Sequence, residues 1–151
     1  MEHLSYDIRS GDFTSAGAAS RDLKRHLKRI GAESDAVRRA MIAAYEAEMN
    51  VVIHAHRGRL EARFDDQRID VDVIDEGPGI PEEFHARIFE KFGQVAVKQA
   101  GVAHSTGLGL TFCKLAVEAH GGQVGVISPP GAGATLWLTL PARPATTARQ
   151  A

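Results

Sequence analysis

The chain has 151 residues, of which 44% are hydrophobic and 25% are charged, as in an ordinary globular domain. The 18 Lys and Arg residues against 19 Asp and Glu residues give a net charge of −1, which offers no support for binding of nucleic acid or anionic membranes. A single cysteine, Cys113, excludes an internal disulfide, and no apolar run approaches the roughly 20 residues that cross a bilayer. We therefore expect one cytoplasmic domain over residues 1–141, followed by a disordered tail over residues 142–151.

The first half of the chain predicts one strand, two helices and a hairpin. Residues 4–9 alternate apolar and polar side chains, as in a strand, and a helical pattern runs from Thr14 to Gly31. Ser34 and Asp35 are predicted to cap a second helix, and two strands follow at 60–64 and 69–74. The apolar stripe of the second helix, expected to be buried, is Val37, Met41, Tyr45, Met49 and Val52.

The second half predicts short elements separated by glycine-rich turns. Residues 81–92 have the pattern of a short amphipathic helix, and residues 93–105 show no clean period, which predicts a mobile loop. Another helix is expected to open at Gly107 and to end near His120. Two further strands are predicted at 123–127 and 134–140.

Polar residues and glycines gather where chemistry is expected. Glu46, Asn50 and His54 recur every four residues and so line one flank of the second helix, next to its buried face. Glycine permits positive φ and lets a ligand approach the backbone, and a glycine turn that opens a helix directs free N–H groups at an anion. Six of the 15 glycines form three pairs at junctions between predicted elements: Gly77 and Gly79, Gly107 and Gly109, and Gly131 and Gly133.

This order of motifs resembles the N, G1, F, G2 and G3 boxes of the GHKL superfamily of Bergerat-fold ATP-binding domains, over about residues 4–141. The boxes are Glu46-x-x-x-Asn50, Asp75-x-Gly77-x-Gly79, 88–92, Gly107-x-Gly109-Leu110 and Gly131-x-Gly133-x-Thr135. The resemblance implies an α/β two-layer sandwich with helices on one face of a mixed, mainly antiparallel sheet, and Mg·ATP bound beside the loop.

The two halves resemble different branches of that superfamily. Residues 4–80, with the Glu-x-x-x-Asn pattern and a following His, are similar to anti-sigma-factor serine kinases. Residues 81–141, with Ser105-Thr106-Gly107-Leu108-Gly109-Leu110 and His120-Gly121-Gly122, are similar to catalytic domains of sensor histidine kinases. A natural hybrid and an engineered chimera joined within 79–82 both stay open at this point.

The resemblance assigns roles to individual residues. Asn50 is implied to ligate a Mg²⁺ ion that bridges the ATP phosphates, and Asp75 to accept a hydrogen bond from the adenine amino group. Glu46 is our candidate catalytic base, because a hydroxyl or water acceptor needs one, whereas a neutral histidine nitrogen does not. Its alternative role is a surface carboxylate paired with Lys or Arg. The remaining implied nucleotide contacts are His54, Gly77, Gly79, Ile80, Lys91, Thr106, Gly107, Leu108, Gly109, Leu110 and Thr135.

Several of these residues also have simpler interpretations. His54 is as easily part of the pocket wall, Lys91 a solvated charge, and Cys113 a small core residue. A zinc site is not expected, because His85, His104 and His120 fall in unrelated predicted elements. A phosphoacceptor histidine is not recognisable before Glu46, so any acceptor is expected in a separate protein.

The function that the resemblance implies is a Mg·ATP-binding protein kinase domain of the anti-sigma-factor or histidine-kinase type. Its expected partners are ATP or ADP and a protein, namely an anti-sigma antagonist, a sigma factor or a phosphoacceptor domain, and homodimer formation is left open. The alternatives are an ATP-gated binding module with little or no phosphotransfer, a slow ATPase clamp, and an engineered chimera.

Overall fold

The computed structural model describes residues 1–9, 11–12, 14–54, 57–77, 79–90, 109–129 and 131–143. Within them the chain forms five strands, three α-helices and two short 3-10 turns, at 82–84 and 87–89. None of the described helices is both long and apolar enough to cross a membrane. The elements in chain order are β1 (Glu2–Arg9), α1 (Ala18–Arg29), α2 (Ser34–His54), β2 (Arg57–Phe64), β3 (Arg68–Asp75), α3 (Gly109–Glu118), β4 (Gln123–Ile127) and β5 (Ala134–Pro141).

The strands form one sheet in the order β1-β2-β3-β5-β4, and each pair of neighbours is antiparallel. The three helices pack on one face of this sheet, which confirms the predicted two-layer α/β fold. The register places Leu60 opposite Val73 and Phe64 opposite Ile69, so alternate side chains of the central strands enter the core together. On the opposite face charged residues pair across strands, as Arg63 and Asp72 do at 3.0 Å.

Helix α2 lies at the centre of the helical layer and contacts α1, α3 and the sheet. Its predicted apolar stripe is only partly correct, because Val37 and Val52 are buried whereas Tyr45 is 40% exposed. The alanine side chains of α2 pack inward, and their small size allows neighbouring elements to approach the helix closely. The buried alanines of α2 are Ala36, Ala40, Ala43, Ala44 and Ala47.

The start of α2 is capped differently from the prediction. The carboxylate of Glu33 accepts hydrogen bonds from the backbone N–H groups of Asp35 and Ala36, both at 3.0 Å, so Glu33 is the capping side chain. Asp35 instead pairs with Arg39 at 2.8 Å and with Arg38. These hydrogen bonds lower the pKa of Asp35 to about 2, because both guanidinium groups favour the charged carboxylate.

The start of α1 depends on a buried carboxylate from α2. Glu48 is 3% exposed, and its oxygens accept hydrogen bonds from the N–H groups of Gly17 (3.0 Å), Ala19 (3.4 Å) and Ser20 (3.3 Å). The Ser20 hydroxyl donates a fourth bond at 3.1 Å. A negative charge at a helix N-terminus interacts favourably with the unpaired N–H groups there, so Glu48 fixes α1 against α2.

The elements after β3 are of the predicted type except in the segment 81–92. Residues 81–92 do not form the expected amphipathic helix, since the described part contains only the two 3-10 turns, whose Ile88 and Phe89 are buried. In α3 Leu110 and Val117 are buried, whereas Leu115 is 59% exposed. The ordered chain continues past Pro141, because Ala142 is buried and its carbonyl accepts the Glu33 N–H at 3.0 Å.

We predict that Glu48→Gln destabilises the domain by about 2 kcal/mol, because a neutral amide cannot accept all four of these hydrogen bonds and leaves buried donors unpaired. Urea unfolding followed by circular dichroism measures the loss. Glu118→Gln is the matched control: Glu118 lies 4.0 Å from Lys114 at the surface of α3, and its loss costs at most about 0.5 kcal/mol. Equal stability of the two variants would contradict the assigned role of Glu48.

Candidate nucleotide site

Asp75 lies at the end of β3, where the first glycine turn begins. One of its carboxylate oxygens, Oδ1, accepts hydrogen bonds from the N–H groups of Gly77 at 2.9 Å and Ala134 at 3.2 Å. Among the described residues no hydrogen bond is made to the other oxygen, Oδ2. The side chain is therefore fixed in position and keeps an acceptor for a ligand.

The first and third glycine turns are joined by a serine. The hydroxyl of Ser128 donates to the Gly133 carbonyl and accepts from the Ile80 N–H, both at 2.7 Å. The sequence prediction did not include Ser128. The sequence signal for Ser128 is a small hydroxyl residue directly before a Pro- and Gly-rich turn. Ser128 and Ile80 are 48 residues apart in the chain, so the sequence does not reveal their contact.

Two glycines are required where these turns meet. Gly133 has a φ of +69°, and a Cβ there would lie 2.2 Å from the Asp75 carbonyl oxygen. Gly79 has a φ of +82°, and its Cβ would lie 2.9 Å from the Ser128 hydroxyl. Both the backbone conformation and the available space thus select glycine, for a packing reason that holds without any ligand.

The end of α2 lies over the same end of the sheet. A Cβ on Gly58 would meet the Val51 side chain at 2.8 Å, so Val51 packs directly on Gly58, the register partner of Asp75. Asn50 precedes Val51 and is half-buried. The structure therefore brings the predicted Mg²⁺ ligand and the predicted adenine acceptor to one end of the sheet, while the side chain of His54 lies outside the described residues.

Glu46, one turn before Asn50, lines a groove of about 360 Å³ between α2 and α3. Burial raises the pKa of Glu46, because desolvation disfavours its charged form. A carboxylate with a raised pKa is better suited to accept a proton than an ordinary surface glutamate. We define the α2/α3 groove by its lining residues: Arg39, Ile42, Glu46, Phe112, Leu115 and Ala116.

A second cleft, of about 670 Å³, opens between the first glycine turn and the end of β4. It includes the predicted residues Gly79 and Ile80 together with His85, whose Nε2 lies 2.8 Å from the Ile80 carbonyl oxygen. Neither Asn50 nor Asp75 lines this cleft or the α2/α3 groove. The other predicted contacts Lys91, Thr106, Gly107 and Leu108 lie outside the described residues.

Thr135 is not brought to Asp75. In the β3–β5 register Asp75 faces Ala134, and Thr135 pairs with Ile74. Because adjacent residues of a strand point to opposite faces, Thr135 lies on the face away from the helices. The register thus puts Ala134 beside Asp75, and a nucleotide contact by Thr135 stays a prediction.

The profile of the histidine kinase-, DNA gyrase B- and HSP90-like ATPases matches residues 34–144, which include α2, the glycine turns and all of β2 to β5. The chain belongs to this ATPase family. The match extends continuously across the predicted junction at 79–82.

Similar proteins include sensor kinases. The alginate biosynthesis sensor protein KinB of Pseudomonas aeruginosa is 41% identical over 95 residues, which are 61% of this chain and 15% of that protein. The adaptive-response sensory kinase SasA of Prochlorococcus marinus is 43% identical over 76 residues, 50% of this chain and 20% of that protein. The chain thus matches a fifth or less of the length of these relatives.

Solved structures confirm the fold. The catalytic domain of histidine kinase ThkA superposes with a TM-score of 0.63 at 19% identity, over 95% of this chain and 98% of that one. The mycobacterial sensor histidine kinase MprB gives a TM-score of 0.58 at 22% identity, over 95% and 99%. Together these findings place the chain in this ATPase family, with the fold of histidine kinase catalytic domains.

We predict that Gly133→Ala destabilises this ATPase-family domain by about 3 kcal/mol or more, because left-handed strain adds to a collision with the Asp75 carbonyl. Gly131→Ala is the matched control: it also has a positive φ, of +75°, but a Cβ there meets nothing within 4 Å, so it costs about 1 kcal/mol. Urea unfolding of both variants measures the difference. A larger loss in Gly131→Ala would contradict the packing described for the two turns.

Proposed function

We propose that this domain binds Mg·ATP and transfers its γ-phosphoryl group to a histidine side chain of a separate protein. The observation that supports the proposal is the packing of Val51, next to Asn50 on α2, against Gly58, the register partner of Asp75. The relatives support the acceptor, because they are named as sensor kinases and histidine kinases.

The described residues include suitable partners for the adenine ring and for the Mg²⁺ ion of Mg·ATP. The free Oδ2 of Asp75 suits the adenine amino group, because a fixed carboxylate is a strong acceptor for an N–H donor. The amide oxygen of Asn50 is a hard, neutral ligand, which suits a Mg²⁺ ion that the phosphates already hold. Bound Mg²⁺ would neutralise charge on the phosphates during transfer. The N-terminus of α3, at Gly109, would direct N–H groups to the same phosphates.

The α2/α3 groove is the proposed contact surface for the acceptor protein. Phe112 is 55% exposed and Leu115 is 59% exposed, and exposed apolar side chains that form one patch commonly mark a protein interface. Glu46 lines this groove, so an acceptor bound there would be close to the candidate base. The partner would thus supply an apolar segment that carries the phosphorylated residue.

A second candidate function is transfer to a serine or threonine hydroxyl, as in anti-sigma-factor kinases. The raised pKa of Glu46 favours it, because a hydroxyl must lose a proton during attack whereas a neutral imidazole need not. Acid treatment of the phosphorylated partner separates the two candidates, since phosphohistidine is acid-labile and phosphoserine is acid-stable.

We predict that Asn50→Ala abolishes the Mg²⁺-dependent part of nucleotide affinity, whereas Asp75→Asn weakens ATP and ADP binding alike, by roughly tenfold or more. Calorimetric titration with ADP and a non-hydrolysable ATP analogue, each with and without Mg²⁺, measures both effects. Asn50→Asp is the control for the metal role, because it keeps an oxygen ligand. Unchanged affinities in Asn50→Ala and Asp75→Asn would remove both residues from the site.

For transfer to a hydroxyl acceptor, we predict that Glu46→Gln reduces phosphotransfer at neutral pH but leaves nucleotide affinity within about twofold, because the base acts on the hydroxyl proton and not on ATP. The wild-type rate should fall as the pH drops through the raised pKa of Glu46, and this fall should disappear in Glu46→Gln. Single-turnover transfer to the cognate acceptor, measured over a series of pH values from acid to neutral, tests it. Equal pH profiles would leave Glu46 without a catalytic role, and nucleotide binding without transfer would favour a binding module.

A further inference from the structure

A cluster of three residues outside the nucleotide site connects the C-terminal end of α3 with the N-terminal end of α2. His120 follows the C-terminus of α3, and Glu33 and Asp35 lie at the start of α2. Nε2 of His120 lies 3.8 Å from Oε2 of Glu33, and Nδ1 lies 3.5 Å from Oδ2 of Asp35. One ligand atom from each residue lies within 4.8 Å of the other two.

The histidine is buried and one of its ring nitrogens is unsatisfied. The His120 side chain is 9% exposed, and Nε2 has no hydrogen-bond partner in the part of the chain that the structure describes. An unpaired buried nitrogen normally costs free energy, and here it lies 3.8 Å from a carboxylate oxygen, slightly beyond hydrogen-bond distance. An ion bound by both groups would satisfy this nitrogen.

We propose that His120, Glu33 and Asp35 bind a divalent transition-metal ion, with Zn²⁺ as the representative. Two ligand atoms on a tetrahedral zinc ion lie about 3.4 Å apart when each is about 2.1 Å from the metal. The observed 3.8 Å between Nε2 and the Glu33 oxygen needs only a small movement to reach that spacing.

The ligand types and the charges select the class of ion. Imidazole favours zinc and its neighbours in the first transition series, whereas Mg²⁺ and Ca²⁺ favour oxygen ligands alone. Asp35 is ionised at neutral pH, as a ligand must be. The adjacent guanidinium groups of Arg38 and Arg39 share that carboxylate and add positive charge, so the affinity should be moderate and below that of sites built from cysteine.

A bound ion would lock α3 to α2 and, through Glu33, to the end of β5. The Glu33 N–H donates to the Ala142 carbonyl at 3.0 Å, and Arg39 of α2 donates to the Ala116 carbonyl of α3 at 2.9 Å. The ion would complete this set of bonds between three elements. The inference does not depend on the proposed phosphotransfer, because none of the three ligands belongs to the nucleotide site.

The test is Zn²⁺ titration of the untagged, metal-stripped protein without nucleotide, followed by calorimetry and thermal unfolding. We expect one ion per chain at this site and a rise in Tm of roughly 5 °C at a hundredfold excess over Kd. His120→Ala and Glu33→Gln should each lower the affinity by roughly a hundredfold, and Co²⁺ should give a visible absorption spectrum that His120→Ala removes. A large excess of Mg²⁺ should not displace Zn²⁺.

His26→Ala is the matched control, because His26 lies 3.6 Å from Asp22 in a surface His–Asp pair that has no third ligand in the described chain. It should leave Zn²⁺ binding unchanged. If Zn²⁺ neither binds with one-to-one stoichiometry nor raises Tm, or if His26→Ala lowers affinity as much as His120→Ala, the cluster is only an ion-paired histidine. Glu33→Gln serves as the deciding variant if His120→Ala does not fold.

Discussion

The close packing of α2 is the constraint on which the rest of the structure depends. Five alanines on its inner faces allow the sheet, α1 and α3 to approach one helix from three sides. The approach to α3 is close enough for the Cys113 thiol to donate a hydrogen bond to the Ala43 carbonyl at 3.2 Å, and burial raises the pKa of that thiol, so it acts as a core group. Larger side chains on this helix would separate the layers, and the polar residues it carries would lose their partners.

Helix α2 distributes polar side chains to several regions of the molecule. Its start, with Glu33 and Asp35, meets the end of α3, whereas Glu48 crosses to the start of α1. Glu46 lines the groove toward α3. The helix period places these groups on different faces of the same helix.

The glycine turns work by close backbone approach rather than by flexibility. Gly133 sits against the Asp75 carbonyl, and the Ser128 hydroxyl fills the remaining gap to Ile80. Such packing, with the hydrogen bonds from Gly77 and Ala134, fixes the position of the Asp75 carboxylate. In the α2/α3 groove, by contrast, the apolar side chains of Phe112 and Leu115 are exposed.

The sequence by itself determined the fold class, the five strands and three of the four predicted helices, since residues 82–84 and 87–89 form 3-10 turns in place of the fourth. Those features follow from local periodicity and from the order of the boxes, and local periodicity does not need tertiary contacts. It could not determine the strand register, which puts Ala134 rather than Thr135 beside Asp75. Tyr45 was assigned to the buried stripe, because an apolar stripe does not reveal where the neighbouring elements end.

Only the tertiary structure decided the long-range polar contacts. Glu48 with the start of α1, Ser128 with Ile80, and His120 with Glu33 and Asp35 join residues that are far apart in the chain. The sequence argued against a zinc site because its histidines fall in unrelated elements, yet helix packing brings one of them to two carboxylates. A pattern of residue types encodes neighbours one turn or one strand position away, whereas contacts between elements depend on the register and packing of the whole fold.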